Sequence, residues 1–128
     1  MKPASLVAIL PLMLAVTGLA QAQTACVYPQ APQTFPDGAT APKEDMVAGQ
    51  GAIKTYASSV QDTYLPCLEK EKVDSIAKLD AADEAYAQKK LALEEIHAKK
   101  HNAALDELQA VADRWKEEII EFKARDKQ

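Results

Sequence analysis

Apolar residues recur in steps of three and four, or their sums, along two stretches of this chain. In the first, Met46, Ile53, Tyr56, Val60, Tyr64 and Cys67 fall on one helical face. In the second, Leu105, Leu108, Ala112, Trp115, Ile119 and Phe122 do so without a break, and Tyr86, Leu93 and Ile96 continue an apolar face upstream less regularly. From Leu68 to Gln128 there is no glycine or proline, and the residues are mostly Ala, Leu, Glu, Lys, Asp and Gln, which favour helix over strand. The pattern predicts an all-α protein with helices at about 41–72 and 80–126. Thr40 is the expected N-cap of the first, with Pro42 in its first turn, where the missing N–H costs nothing. Glu44 and Asp45 follow at the positive end of the helix dipole. Gly49 and Gly51 each cost ~1 kcal/mol against alanine. Gly49 lies on the apolar face, so it either admits a close neighbour or marks a weak point. Pro66 cannot bond back to Asp62, which predicts a kink.

One helix over the whole of this region would be a rod of roughly 130 Å at 1.5 Å per residue, with nothing to bury its apolar face against. The expectation is therefore a long antiparallel helical hairpin of coiled-coil type, its turn between 72 and 82. Asp80 would cap the second helix, with Asp83 and Glu84 in the first turn. A turn centred near 77 places residue 41 opposite about 113. Trp115, Ile119 and Phe122 would then project past the first helix as an exposed stripe, unless the Tyr28–Phe35 segment folds over them or the turn lies elsewhere.

Residues 23–40 are of another composition. Between Val27 and Pro42 stand Pro29, Pro32, Pro36 and Pro42, a spacing that suits extended, polyproline-like chain. Pro36-Asp37-Gly38 is a turn signal, in which proline sets φ and glycine allows φ > 0. A helix from 41 to Cys67 runs ~39 Å. The fifteen residues from Cys26 to 41 can span ~46 Å at the polyproline rise. The proline-rich segment can therefore lie antiparallel along the first helix as a strap, with Tyr28 and Phe35 to bury.

The N-terminus reads as a secretory signal peptide over residues 1–22. Met1-Lys2 gives a positive start, Leu6–Val16 an apolar stretch, and Ala20-Gln21-Ala22 a small-x-small cleavage motif. The apolar stretch is shorter than the ~20 residues of a spanning helix, and no second one follows, so no membrane span is expected after cleavage. The predicted location is the periplasm, with secretion as the alternative. Gln23-Thr24-Ala25 before Cys26 argues against lipid attachment there. In an oxidising compartment the two cysteines, Cys26 and Cys67, read as one disulfide. Two free thiols or a bridge between chains are the alternatives. Within one chain the bond closes a loop of about 42 residues and contributes ~4 kcal/mol by chain entropy. The 15 Lys+Arg against 19 Asp+Glu make a mildly acidic chain, which argues against a nucleic-acid partner.

Several of these residues occur together in one pattern. Cys26, Pro32, Pro36-Asp37-Gly38, Thr40-Ala41, Met46, Gln50, Lys54, Tyr56, Tyr64-Leu65-x-Cys67-Leu68-Glu69 and Val111-Ala112-Asp113-Arg114-Trp115 resemble a family of small proteobacterial exported helical proteins. That family carries a Pro-Asp-Gly-x-Thr-Ala turn, a Tyr-Leu-x-Cys-Leu motif and a second helix with a Val-Ala-x-x-aromatic stretch. The resemblance covers most of the mature chain and implies an exported location and paired cysteines. It implies no chemistry. This chain departs from the pattern at Gly49 and Gly51, where alanines are usual, and at Pro66; the departures put the regularity of the first helix in question.

Candidate chemistry is sparse. His97 and His101 stand at i and i+4 on one helix face, a spacing that can chelate zinc or copper, with Glu94 one turn earlier as a third ligand. Lys99 and Lys100 oppose this, and the bland reading is a pair of surface or seam histidines. Ser58, Ser59 and Ser75 lie in or beside helices without a nucleophile elbow, and there is no glycine-rich phosphate loop. The sequence thus predicts a non-enzymatic interaction or structural protein of the cell envelope, without cofactor. It would bind a protein partner or form a homodimer through Trp115, Ile119 and Phe122. The alternative is a weak transition-metal binder at His97 and His101.

Overall fold

The computed structural model describes residues 25–127. Leu6–Val16 and the Ala20-Gln21-Ala22 motif lie outside them. The described residues form helices and irregular chain without strands. Helix α1 spans Lys43–Ser58, a single π-helical segment Ser59–Tyr64 follows, and α2 runs Leu65–Ala77. Helix α3 spans Tyr86–Arg125 and packs against both α1 and α2. None of these helices is long and apolar enough to cross a membrane.

The π-helical segment is the local answer to Pro66. Proline has no N–H for the carbonyl four residues back, and its ring crowds that carbonyl. The chain widens just ahead of it, and the Leu65 N–H donates to Val60, five residues back. One extra residue in a turn rotates everything after it by roughly 100° relative to an unbroken α-helix. Leu68 is thereby 1 % exposed in the core, while Cys67, which an unbroken 3.6-residue period puts on the core line, lies half-buried at its edge.

The connection differs from the expected one. Asp80 does not cap α3. It accepts from the Ala82 N–H through its side chain (2.9 Å) and from the Asp83 N–H through its carbonyl (3.1 Å). Asp83 repeats the pattern with Ala85 (2.7 Å) and Tyr86 (2.9 Å). These are two successive side-chain-closed turns, the alternative that aspartate offers to helix, and they delay α3 to Tyr86. Its N-cap is Ala85, without a side-chain cap. At the other end, Thr40 does not cap α1 either; the N-cap is Pro42 in extended conformation. Asp37 organises this entry, accepting from Ala41 (2.7 Å) and Thr40 (3.2 Å) at its carbonyl and from Ala39 (2.8 Å) at its side chain.

The later turn shifts the helix register. Trp115 meets Gln50, and Arg125 reaches Ala41, so residue 41 lies near the end of α3 and not opposite 113. One core results, built from Met46, Ile53, Tyr56, Val60, Tyr64 and Leu68 on one side and Ala104, Val111 and Trp115 on the other. On α3 the buried line is 104–108–111–115; Leu105 and Ala112, placed on the face by the sequence pattern, are exposed. Cys26, Tyr28, Ala31, Phe35 and Ala41 pack against this core from the proline-rich segment.

The two helix glycines have different roles. A Cβ at Gly49 would lie 2.9 Å from Trp115 Cη2 and 3.0 Å from the Pro36 ring, whereas one at Gly51 would meet nothing within 4 Å. Gly51→Ala therefore gains helix propensity without a clash and stabilises by about 0.5–1 kcal/mol. Gly49→Ala gains the same propensity but pushes apart Trp115 and Pro36, and is expected to destabilise by ~1 kcal/mol or more. Urea titrations of the two variants check this through the opposite signs of their midpoint shifts.

Candidate functional site

The feature with the most built geometry is the seat of the proline-rich segment on the helices. Cys26 and Cys67 form a disulfide, with Cα atoms 5.8 Å apart, that fixes its start to α2. Next to it, the Glu71 carboxylate is held below the usual range, first by the Lys100 ammonium of α3 at 2.6 Å and also by the Cys26 N–H. Glu71 thus links three parts of the chain. Further on, Tyr28 places its ring edge-on to Tyr64, with centroids 4.9 Å apart, and shares a 2.7 Å hydrogen bond with the Tyr56 hydroxyl. Burial, then the bonds to Tyr56 and Glu107, push the Tyr28 phenol well above its ordinary pKa, so it stays protonated and can donate.

Past this, Phe35 lies 6.4 Å from the Trp115 ring and under the Arg114 guanidinium at 4.5 Å. The segment ends against α3. Gly38 donates its N–H to Glu118 Oε2 at 2.8 Å. A Cβ there would fall 2.0 Å from the Glu118 carbonyl oxygen. No described glycine has positive φ, so Gly38 serves close approach to a helix backbone and not the left-handed turn that the Pro-Asp-Gly signal predicts. Arg125 completes the clamp by donating to the Ala41 carbonyl at 2.9 Å while lying 4.7 Å over Phe122.

This arrangement covers the stripe that a turn near 77 would leave exposed, which is the alternative in which the Tyr28–Phe35 segment folds over it. Trp115 is 5 % exposed and donates its indole N–H to Gln50 at 2.9 Å. Ile119 and Phe122 are half-buried against the same core. The reason is the register: with α3 starting at Tyr86, its last turns lie beside α1 and the proline-rich segment instead of overhanging them. Exposed apolar side chains lie elsewhere on α3, at Leu91, Ile96, Leu105 and Ile120.

The histidines lie on the α2–α3 seam. The His97 and His101 rings are 6.0 Å apart between centroids. Glu94, the third ligand expected from sequence, faces Lys90 at 3.5 Å. It is Glu69 of α2 that approaches, its Oε2 3.5 Å from His97 Nε2. That distance exceeds hydrogen-bond length, and the buried Nε2 has no hydrogen-bond partner. Glu69 also accepts from Lys72 at 2.8 Å; this bond first, then the charges of Lys72, His97 and His101, lower its pKa. A linear pattern search could not find Glu69, because its relation to His97 is made by the fold alone.

Ser58 and Ser59 line an open depression of about 400 Å3 beside the π-helical segment, with Lys54, Thr55, Asp62 and Thr63. The Ser59 hydroxyl is spent on the Thr55 carbonyl at 2.9 Å, and the lining holds no histidine or cysteine. Asp37, Glu118 and Glu121 bring carboxylate oxygens within 4.8 Å of one another at the end of the clamp. Two of these are already engaged, Glu118 by Gly38 and Asp37 by Ala39. No family model, curated protein or solved structure matches the chain.

Proposed function

We propose that this chain is an exported, non-enzymatic structural or interaction protein of the cell envelope, active in the periplasm. In this reading it is a long helical hairpin with a proline-rich strap, and it binds a protein partner or a second copy of itself through its helical faces. The observation that carries the reading is the strap itself, fixed at one end by Cys26–Cys67 and at the other by Gly38 and Arg125 on α3. A disulfide of this kind persists in oxidising compartments, which agrees with the signal-peptide pattern of residues 1–22. A thin pair of helices held rigid by a third layer offers long faces rather than a concave, water-excluding pocket. The contact faces in this reading are the outward positions of α3, where Leu91 and Leu105 are exposed two heptads apart, and not the covered Trp115, Ile119 and Phe122.

Expression of the full chain in a Gram-negative host tests the location, followed by osmotic release and alkylation of free thiols. The expected product is in the released fraction, cleaved after Ala22, with both cysteines protected. Retention in the cytoplasm with alkylatable thiols overturns the reading. Sedimentation of the mature chain beside Leu91→Glu/Leu105→Glu then separates the partners: self-association lost in the variant points to a second copy, and a monomer in both points to a different protein.

A further inference from the structure

We propose that His97 and His101 of α3, together with Glu69 of α2, form a divalent transition-metal site that bridges the two helices. The inference is independent of the strapped-scaffold reading. It rests on three observations at one place on the seam. The two imidazoles rise from adjacent turns of the same face, with ring centroids 6.0 Å apart and planes inclined by 34°. The carboxylate that approaches His97 comes from the other helix, 3.5 Å from its Nε2. That nitrogen is buried and makes no hydrogen bond, an arrangement proteins ordinarily avoid because an unpaired buried polar atom costs free energy. A metal ion bound there would give that nitrogen the partner it lacks.

Two imidazoles and one carboxylate form a ligand set that suits zinc, which accepts three protein ligands with water in the fourth position. Copper(II) and nickel(II) also favour imidazole. In the metal-free arrangement the three donors do not yet converge: Glu69 accepts from Lys72, and the site closes when the carboxylate turns from that ammonium and the His101 ring turns toward it and His97. The Glu69 side chain is 56 % exposed, so the rotation meets little packing. His97, at 15 %, is already held in place. The two lysines between the histidines are paired, Lys100 with Glu71 and Lys99 with Glu95 along α3, and the exposed end of Lys72 is released to solvent when Glu69 turns. The sequence pattern alone points along α3 to Glu94, which the fold turns to Lys90; the distinguishing content of the proposal is that the third ligand crosses between helices.

The test is a calorimetric titration of the oxidised mature chain with zinc chloride, with melting curves in excess zinc and in EDTA. The expected result is one zinc ion per chain and a higher melting temperature in zinc, since a ligand that binds the folded state stabilises it. His101→Asn is expected to remove the uptake. Glu69→Gln is expected to weaken it by about tenfold or more, as loss of a direct ligand costs at least what loss of a supporting group does. Glu94→Gln leaves it unchanged. The EDTA melts establish that each variant is folded, and His101 carries the histidine arm because the buried nitrogen on the seam belongs to His97. No uptake by the wild type overturns the site. Uptake that survives His101→Asn, for example at Asp37, Glu118 and Glu121, overturns it too. Wild-type affinity in Glu69→Gln, or loss in Glu94→Gln, overturns the bridge between helices.

Discussion

Cys67→Ser is expected to lower the melting temperature of the mature chain by roughly 15–30 °C. The disulfide joins residues 41 positions apart, and closing a loop of that size in the unfolded chain contributes about 4 kcal/mol. In a domain of this length each kcal/mol shifts the midpoint by about 4–8 °C. The rest of the proline-rich segment does not replace the bond. Its far end stays clamped by Gly38 and Arg125, and its middle by the Tyr28–Tyr56 hydrogen bond. Those contacts order the folded state without restricting the unfolded one. Circular dichroism melts of the variant and of wild type in excess dithiothreitol check the expectation, and the two curves should coincide. A midpoint unchanged in both would remove the Cys26–Cys67 bond from the account of stability.

The parts of the fold that were legible in the sequence are those written in local periodicity. Met46, Ile53, Tyr56, Val60 and Tyr64 share a face because 3.6 residues per turn places them there, and each is buried. The glycine- and proline-free composition after Leu68 is similarly local, and so is the pairing of the only two cysteines. What could not be read depends on small departures from ideal helices that accumulate. The π-helical segment ahead of Pro66 adds one residue to a turn, so Leu68 takes the core position that an ideal helix assigns to Cys67. Two aspartate turns delay α3, so its contacts with α1 shift by twelve residues, from 113 opposite 41 to Arg125 opposite Ala41. That one shift accounts for the covered Trp115 stripe. It also decides the neighbours of His97, for Glu69 and Glu94 are equally acidic in the sequence and only the register tells which one faces the imidazole. Gly38 shows the same limit: its type was a turn signal, but the need for it comes from the Glu118 backbone eighty residues away in the chain.

Trp115→Ala is expected to destabilise the folded chain by about 3–5 kcal/mol, the usual cost of deleting a large buried aromatic side chain. Trp115 is where the three layers meet. Gly49 gives its ring room on α1, Gln50 accepts its N–H, and Pro36 and Phe35 of the proline-rich segment lie against it. Trp115→Phe separates the contributions, because it keeps most of the packing and loses the 2.9 Å hydrogen bond to Gln50, at ~1 kcal/mol. An exposed partner-binding tryptophan would behave otherwise, with truncation changing stability by about 0.5 kcal/mol or less. Urea midpoints of the two variants decide between these roles. Combining Trp115→Ala with Cys67→Ser tests the link between the proline-rich segment and the core. Both changes loosen the same layer, so their effects should sum to less than the two measured separately. Full additivity would mean that the cover of Phe35 and Pro36 over Trp115 does not depend on the disulfide, and that the clamp of Gly38 and Arg125 on α3 is enough to hold it.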